Sequence, residues 1–250
     1  MFLGKHKFAL YILILMLSLV LISCGPEDYP YIESVPQSNV VQQFNDRARV
    51  QLPATNTQFF RNYIIFYRIY VSDISIPSTT TLTFSTINQT LFLNHNNFRS
   101  HIDSDTLVNF NLDQLFSARN YKYLELENFN IDTVLNTSAF GSVLEFDFTP
   151  GKAPTMQVSG GPVYTLLRSR GNGAFDPIPS DRYFIHRDEL WREENINPRM
   201  NADVENNNNM GGGRRYTYAA MYIAAIGIND TYSYIYSTPS LIHVFLLPDP

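Results

Sequence analysis

Cys24 is the only cysteine in the chain and the side chain best suited to nucleophilic chemistry, because a thiolate is a strong nucleophile. It follows the apolar run FALYILILMLSLVLI over 8–22, which a head with two lysines precedes, and small Ser23 separates the run from it. A charged head, a short apolar run and a small residue before the cut are typical of a secretory signal peptide. The run is shorter than the roughly 18 apolar residues of a spanning helix. We therefore predict an exported protein with a signal over 1–23.

The end of this segment, Leu21-Ile22-Ser23-Cys24, resembles the bacterial lipobox. The resemblance implies that a diacylglyceryl group is attached to the thiol, that the signal is cut just before Cys24, and that the new amine is often acylated. Two or three acyl chains, at about 0.8 kcal/mol per buried CH₂, hold a protein on a bilayer where one chain binds only marginally. Gly25 stands where some inner-membrane lipoproteins carry a retaining aspartate, which favours the outer membrane. An uncleaved N-terminal helix with an incidental cysteine is the alternative.

The charge and the cysteine count exclude several kinds of function. The signal carries Lys5 and Lys7 but no acidic residue, so its removal takes the net charge from −5 to −7. Nucleic-acid binding depends on lysine and arginine at phosphates, so an acidic exported chain is a poor candidate for it. Once Cys24 is acylated, no thiol remains for a disulfide, a thiolate metal site or a cysteine nucleophile. We expect no cofactor beyond the covalent lipid.

The histidines offer little for catalysis or metal binding. His101 lies near Asp103, Ser104 and Asp105, but the chain has no G-x-S-x-G elbow. His95 lies six residues before His101, too far for the i, i+4 spacing that places two ligands on one helical face. We predict a surface turn here, with no catalytic residue and no metal site.

A group of carboxylates surrounds the only tryptophan, Trp191, with Asp188-Glu189 before it and Glu193-Glu194 after it. Glycosidases place two carboxyl groups on either side of the bond that they cleave. Both pairs here fall in one short predicted helix over 186–195, so they cannot flank a bond, and a solvated helix face with the indole turned inward is favoured. An exported hydrolase that uses His101 or this acidic group is the rival function.

Tyrosines suggest a binding surface. In TYSYIYST, Tyr232, Tyr234 and Tyr236 share one face if the segment is extended, and tyrosines are enriched in binding surfaces. Packing against neighbouring strands explains them as well and is the favoured interpretation. If the protein binds a protein or a glycan, we predict that these tyrosines, Trp191 and the Asn- and Gly-rich loop over 205–215 form the surface.

Strands must position these residues. The segment over 62–73, NYIIFYRIYVSD, has two apolar faces, which indicates a central strand, and RARVQL over 47–52 is its expected antiparallel partner. RYTYAAMYIAAIGIND over 215–230 is rich in aromatic and β-branched residues and is predicted as a strand. The last strand, over 232–248, contains Pro239, which requires an edge or a bulge.

The remaining segments are shorter. Three short runs alternate between apolar and polar residues and are bounded by Gly and Pro, which predicts β-hairpins: VLEFDFTPG, PTMQVSGG and PVYTLLRSRGNG. NLDQLFSARN over 111–120 has helical spacing. The prolines over 25–45 predict a short stalk, in which Tyr31 to Val35 could already form an edge strand.

A resemblance to fibronectin type III domains follows from these strands. Tyr63-x-Ile65-x-Tyr67 resembles their third strand, and YIAAIGIND and YSTPSLIHVFLLP resemble their sixth and seventh strands. The resemblance implies a mainly β fold, an antiparallel immunoglobulin or fibronectin type III-like sandwich. A whole domain of this type has about 100 residues, so the segment over 73–215 would be a long middle insertion containing short helices and hairpins.

The predicted organisation is a signal over 1–23, a lipidated N-terminus and stalk over 24–45, and a sandwich over 46–250. We expect a non-catalytic envelope lipoprotein that works in adhesion, scaffolding or an assembly, held at the membrane by its lipid. A small-molecule carrier with an apolar cavity between the sheets is a further alternative.

Overall fold

The computed structural model describes residues 30–43, 46–72, 121–169, 182–186, 203–205 and 216–248, with Ser72 and Glu205 described by their backbone alone. Its strands are β1 (Val40–Gln43), β2 (Arg47–Gln51), β3 (Phe60–Ser72), β4 (Lys122–Tyr123), β5 (Glu125–Leu126), β6 (Val143–Asp147), β7 (Thr155–Val158), β8 (Val163–Leu167), β9 (Val204–Glu205), β10 (Tyr216–Ile228), β11 (Tyr234–Tyr236) and β12 (Ser240–Leu246). One short helix, α1 (Ile131–Val134), and the 3₁₀ turns Gln37–Asn39 and Thr137–Ala139 complete the described elements. The fold is mainly β, as predicted, and the predicted helix over 111–120 lies outside the described residues.

The first sheet has the strand order β1-β2-β6-β7-β8-β5, and all its pairings are antiparallel. The predicted hairpins are confirmed as β6-β7 and β7-β8. The predicted pairing of the segment over 47–52 with the segment over 62–73 is wrong, because β2 lies between β1 and β6. The physical reason is that β2 buries only Ala48 and Val50 and exposes its other face, which suits a sheet with one solvated side.

The second sheet is built on β10. Along its whole length β10 pairs with β3, from Tyr216 opposite Ser72 to Gly227 opposite Phe60, which confirms both predicted long strands. The other edge of β10 pairs with both β12 and β11, which lie one after the other along it. The predicted last strand is therefore present but broken at Pro239. Proline has no N–H to donate to the ladder, which explains the break. The outer edge of β3 pairs with antiparallel β4 and parallel β9.

Aromatic rings join the two sheets into one core. Phe148 follows β6 and stacks on Phe245 of β12 with ring centroids 4.1 Å apart, and Phe146 lies 6.1 Å from the same ring. One face of β3, including Tyr63 and Tyr67, is buried in this core. The opposite face of β3 and β10 is also buried, in a second cluster: Ile64, Phe66, Tyr70, Tyr121, Tyr218, Ala220, Tyr222, Ala224, Leu241 and Val244. Burial on both faces accounts for the near-continuous apolar sequence of these strands.

The chain enters this fold at one end, which we call the entry end. Tyr31 to Val35 is not a strand, but Ile32 and Val35 are buried, and the compact unit begins at Tyr31. The loop over 52–59 leads from β2 to the start of β3 and lies at the same end. The turn over 229–233 also lies there, because the end of β10 pairs with the start of β3. The opposite end, which we call the far end, holds the turn over 148–154, since Asp147 pairs with Arg47 at the start of β2.

Candidate functional site

The turn between β10 and β11 is held by the side chain of Asn229. Its Oδ1 accepts hydrogen bonds from the backbone N–H of Thr231 at 3.1 Å and of Ser233 at 2.8 Å, and from Thr231 Oγ1 at 2.8 Å. The backbone N–H of Tyr232 donates to the Asn229 carbonyl at 3.0 Å. An asparagine that closes its own turn in this way fixes the path of the following residues.

Tyr232 is held in a strained backbone conformation, with φ 61°. A bulky side chain in the left-handed region is rare and costs on the order of 1–2 kcal/mol. Its ring is 90% exposed, so burial of the ring does not offset that cost. Observed strain of this kind is more common at functional positions than elsewhere.

The other two tyrosines of the predicted surface lie on β11. The rings of Tyr234 and Tyr236 are 6.5 Å apart and share a face, whereas Tyr232 lies in the turn and does not continue it. Tyr234 is 64% exposed, while Tyr236 is half-buried against the second cluster. The favoured interpretation, packing against neighbouring strands, therefore holds for Tyr236 and is wrong for Tyr232 and Tyr234.

A groove of about 390 Å³ runs beside Tyr232 at the entry end. Its lining residues are Gln58, Phe59, Arg61, Ile228, Asn229, Asp230 and Tyr232. The Ile228 N–H donates to the Phe59 carbonyl at 3.0 Å and joins the two walls. With one guanidinium and one carboxylate, the lining has no surplus of charge, so it suits contact through aromatic and neutral polar groups.

Gly227 allows the backbone of β10 to lie close to Phe59 and Ile32. A Cβ at this position would lie 2.2 Å from the Phe59 carbonyl oxygen and 2.3 Å from Ile32 Cδ1. A glycine inside a strand often marks such a close backbone approach. The glycine in AIGIND is therefore a sequence signal for the contact with Ile32 and Phe59, which the sequence interpretation missed.

Tyr31 belongs to the same end. The hydroxyl of Thr57 donates to the Tyr31 carbonyl at 2.9 Å, and Asn56 exchanges hydrogen bonds with the backbone of Glu33 at 3.1 and 3.0 Å. The Tyr31 side chain is 64% exposed. The entry end therefore presents Tyr31, Tyr232 and Tyr234, the three most exposed large apolar side chains of the described residues.

A buried ionic cluster is the second notable arrangement. Arg168 binds both carboxylate oxygens of Asp203, Nε to Oδ2 at 2.8 Å and Nη2 to Oδ1 at 2.5 Å. The Tyr67 hydroxyl donates to Asp203 Oδ2 at 2.9 Å and accepts from the Ser169 N–H at 2.9 Å. All three side chains are buried. The cluster ties β3 to the end of β8 and the start of β9.

The pKa directions in this cluster argue against proton transfer. Burial raises the pKa of Tyr67 well above its ordinary value of 10.0, and the nearby Asp203 carboxylate raises it further. Burial alone would lower the pKa of Arg168, but the same carboxylate outweighs burial and raises it. Tyrosine therefore stays neutral and arginine charged at any physiological pH, which suits a structural tie rather than an acid or a base.

Two histidines lie among the described residues. His243 lies in β12, and its ring centroid is 4.9 Å from that of Phe245 in a T-shaped arrangement. His186 Nδ1 lies 2.8 Å from Thr217 Oγ1 in a buried pair. In the described ranges, no three His, Cys, Asp or Glu side chains gather closely enough to hold a metal ion.

The other predicted site residues lie outside the part of the chain that the structure describes: Cys24, His95, His101, Asp103, Ser104, Asp105, Asp188, Glu189, Trp191, Glu193, Glu194 and nearly all of the loop over 205–215. They stay predictions. None of the helices formed by the described residues is long and apolar enough to span a bilayer. No family model, no curated protein and no solved structure matches the chain.

Proposed function

We propose that this chain is a lipid-anchored protein of the bacterial cell envelope, attached through Cys24, with a binding or structural role rather than a catalytic one. The observation that carries the proposal is the position of the only cysteine, directly after a short apolar run and Ser23. An exported acidic chain with no other thiol agrees with an anchor and leaves the cysteine no competing role. Gly25 after the cysteine favours the outer membrane.

The proposed fold is a fibronectin type III-like sandwich with an insertion. The order β1-β2-β6 in one sheet and β12-β10-β3-β4 in the other agrees with the A-B-E and G-F-C order of such sandwiches. In this assignment β3 is the third strand, β10 the sixth, and β11 with β12 the seventh. Strands β4 to β9 fall within the segment over 73–215, the proposed insertion, which in this assignment also supplies β4 and β6 of the sandwich order.

A role in surface contact, with the bilayer or with another molecule, is supported by the entry end. Exposed tyrosines give rigid contact area at a low entropic cost, because each ring has only two rotatable side-chain bonds. Tyr232 and Tyr234 are exposed beside a groove, and Asn229 fixes the turn before any partner arrives. A preformed turn lowers the cost of ordering on binding.

A Cys24→Ala variant tests the anchor. It should accumulate as the unprocessed precursor and take up no palmitate analogue in bacterial cells, because the acylated thiol is missing. A Ser23→Ala variant is the matched control, since it keeps a small residue before the cysteine and should be processed and labelled normally. Normal size and retained labelling of Cys24→Ala would contradict the proposal.

A further inference from the structure

The entry end is also the end from which the chain leads back to the proposed lipid. Six residues lie between Cys24 and Tyr31. The attachment point is therefore at most about 25 Å from Tyr31 along an extended chain. Tyr31 is fixed to the unit through Thr57, and Ile32 packs into the contact at Gly227. If Cys24 carries the anchor, the entry end is therefore the part of the unit tethered closest to the bilayer.

The side chains at this end match the chemistry of a bilayer surface. Tyrosine combines an apolar ring with a hydroxyl and is enriched where proteins meet lipid headgroups. Arg61, Glu33 and Asp230 also lie here, so the end has no excess of positive charge that would select anionic lipids. Contact would depend on the rings instead.

We propose that Tyr31, Tyr232 and Tyr234 insert into the headgroup region of the membrane that carries the anchor, so that the unit stands with its entry end on the bilayer. This inference rests on the proposed lipid at Cys24. It accounts for a strained tyrosine at position 232 that is 90% exposed. It also predicts that the far end, with the turn over 148–154, points away from the membrane.

Site-specific labelling of the intact lipidated protein in phosphatidylcholine vesicles tests the orientation. Acylation blocks Cys24, so a Tyr232→Cys variant offers a single thiol for an environment-sensitive fluorophore. Lys152→Cys, on the exposed far-end turn, is the matched control. We expect blue-shifted emission and at least about threefold weaker iodide quenching at position 232 than at position 152. Tyr234→Cys is a second label position and should behave like Tyr232→Cys.

Two outcomes would overturn the inference while the anchor stands. The first is equal emission and equal quenching at positions 232 and 152. The second is protection of position 232 that appears only when other envelope proteins are added, which would identify the tyrosines as a protein-binding surface. Raising the salt concentration about fivefold, or adding anionic lipid, should leave the protection unchanged, and a strong salt dependence would contradict contact through rings.

The unsubstituted chain separates failure of the anchor from failure of the orientation. With a lipid on Cys24 it should take up no thiol-reactive fluorophore. If it is labelled, Cys24 is free, and both the proposed anchor and the inference that rests on it are wrong. If it stays unlabelled, the comparison of positions 232 and 152 decides the orientation alone.

Discussion

The buried pair of Arg168 and Asp203 should be highly sensitive to substitution of either partner. Replacing one partner removes the two-pronged ionic contact that the other charge has in the core, and breaking a buried pair in this way costs about 3–5 kcal/mol. Both side chains are only 6% exposed, so solvent cannot compensate. We expect Asp203→Leu and Arg168→Met each to lower the free energy of unfolding by about 4 kcal/mol.

The double variant should be much less damaging than either single change. Replacing a buried ion pair by apolar side chains of similar volume is often close to neutral. A loss of about 1–2 kcal/mol remains because the Tyr67 hydroxyl loses its acceptor at Asp203. The double variant should therefore be about 2 kcal/mol less stable than the parent chain, far from the sum of the single losses.

Urea unfolding of the intact chain in mild detergent, followed by circular dichroism, measures these differences from the midpoint at constant slope. The exposed pair Arg49 and Glu145 is the matched control. Their side chains are 53% and 41% exposed and 2.9 Å apart, so Arg49→Met should cost less than about 1 kcal/mol. Single losses at Arg168 and Asp203 below about 1 kcal/mol, or losses that simply add in the double variant, would refute the reasoning.

Two further predictions concern the ends of the unit. Burial acts to raise the pKa of Asp147, but hydrogen bonds from Lys152 and Thr149 outweigh it and lower the pKa from 3.8 to about 2. The ionised Asp147 therefore adds stability above about pH 4 that is lost as the pH falls through about 2, so Asp147→Asn should cost about 1 kcal/mol at neutral pH and little below pH 2. A urea midpoint difference that is independent of pH would contradict this. At the entry end, Gly227→Ala should cost about 2 kcal/mol, because the added Cβ meets the Phe59 carbonyl oxygen at 2.2 Å, and a loss below about 0.5 kcal/mol in the same assay would show that the approach relaxes easily.

The long central strands could be predicted because their sequences are apolar on both faces. β3 and β10 are buried on both sides, so their sequences are near-continuous apolar runs rich in β-branched and aromatic residues, which is typical of strands covered on both faces. The break of the last strand was also signalled, by Pro239. The partner of β2 could not be predicted, because alternation identifies a strand but carries no information about which distant strand it pairs with.

The candidate site was only partly visible in the sequence. Period-two spacing placed Tyr234 and Tyr236 on one face, but it cannot tell a solvent-facing end from a packed one. The side chain of Asn229 closes the turn and places Tyr232 off that face, which depends on hydrogen bonds rather than on periodicity. The ionic cluster depends on Arg168 and Asp203, which both lie within the proposed insertion. They meet because strand pairing brings the end of β8 close to the start of β9.

Intact-mass spectrometry of the chain purified from bacterial membranes tests the proposed lipid anchor most directly. We expect a protein that begins at Cys24 and carries a diacylglyceryl group, with or without a further acyl chain on the new amine. A mass that corresponds to the chain from Met1, or to an unmodified product with a free thiol at Cys24, would contradict the anchor.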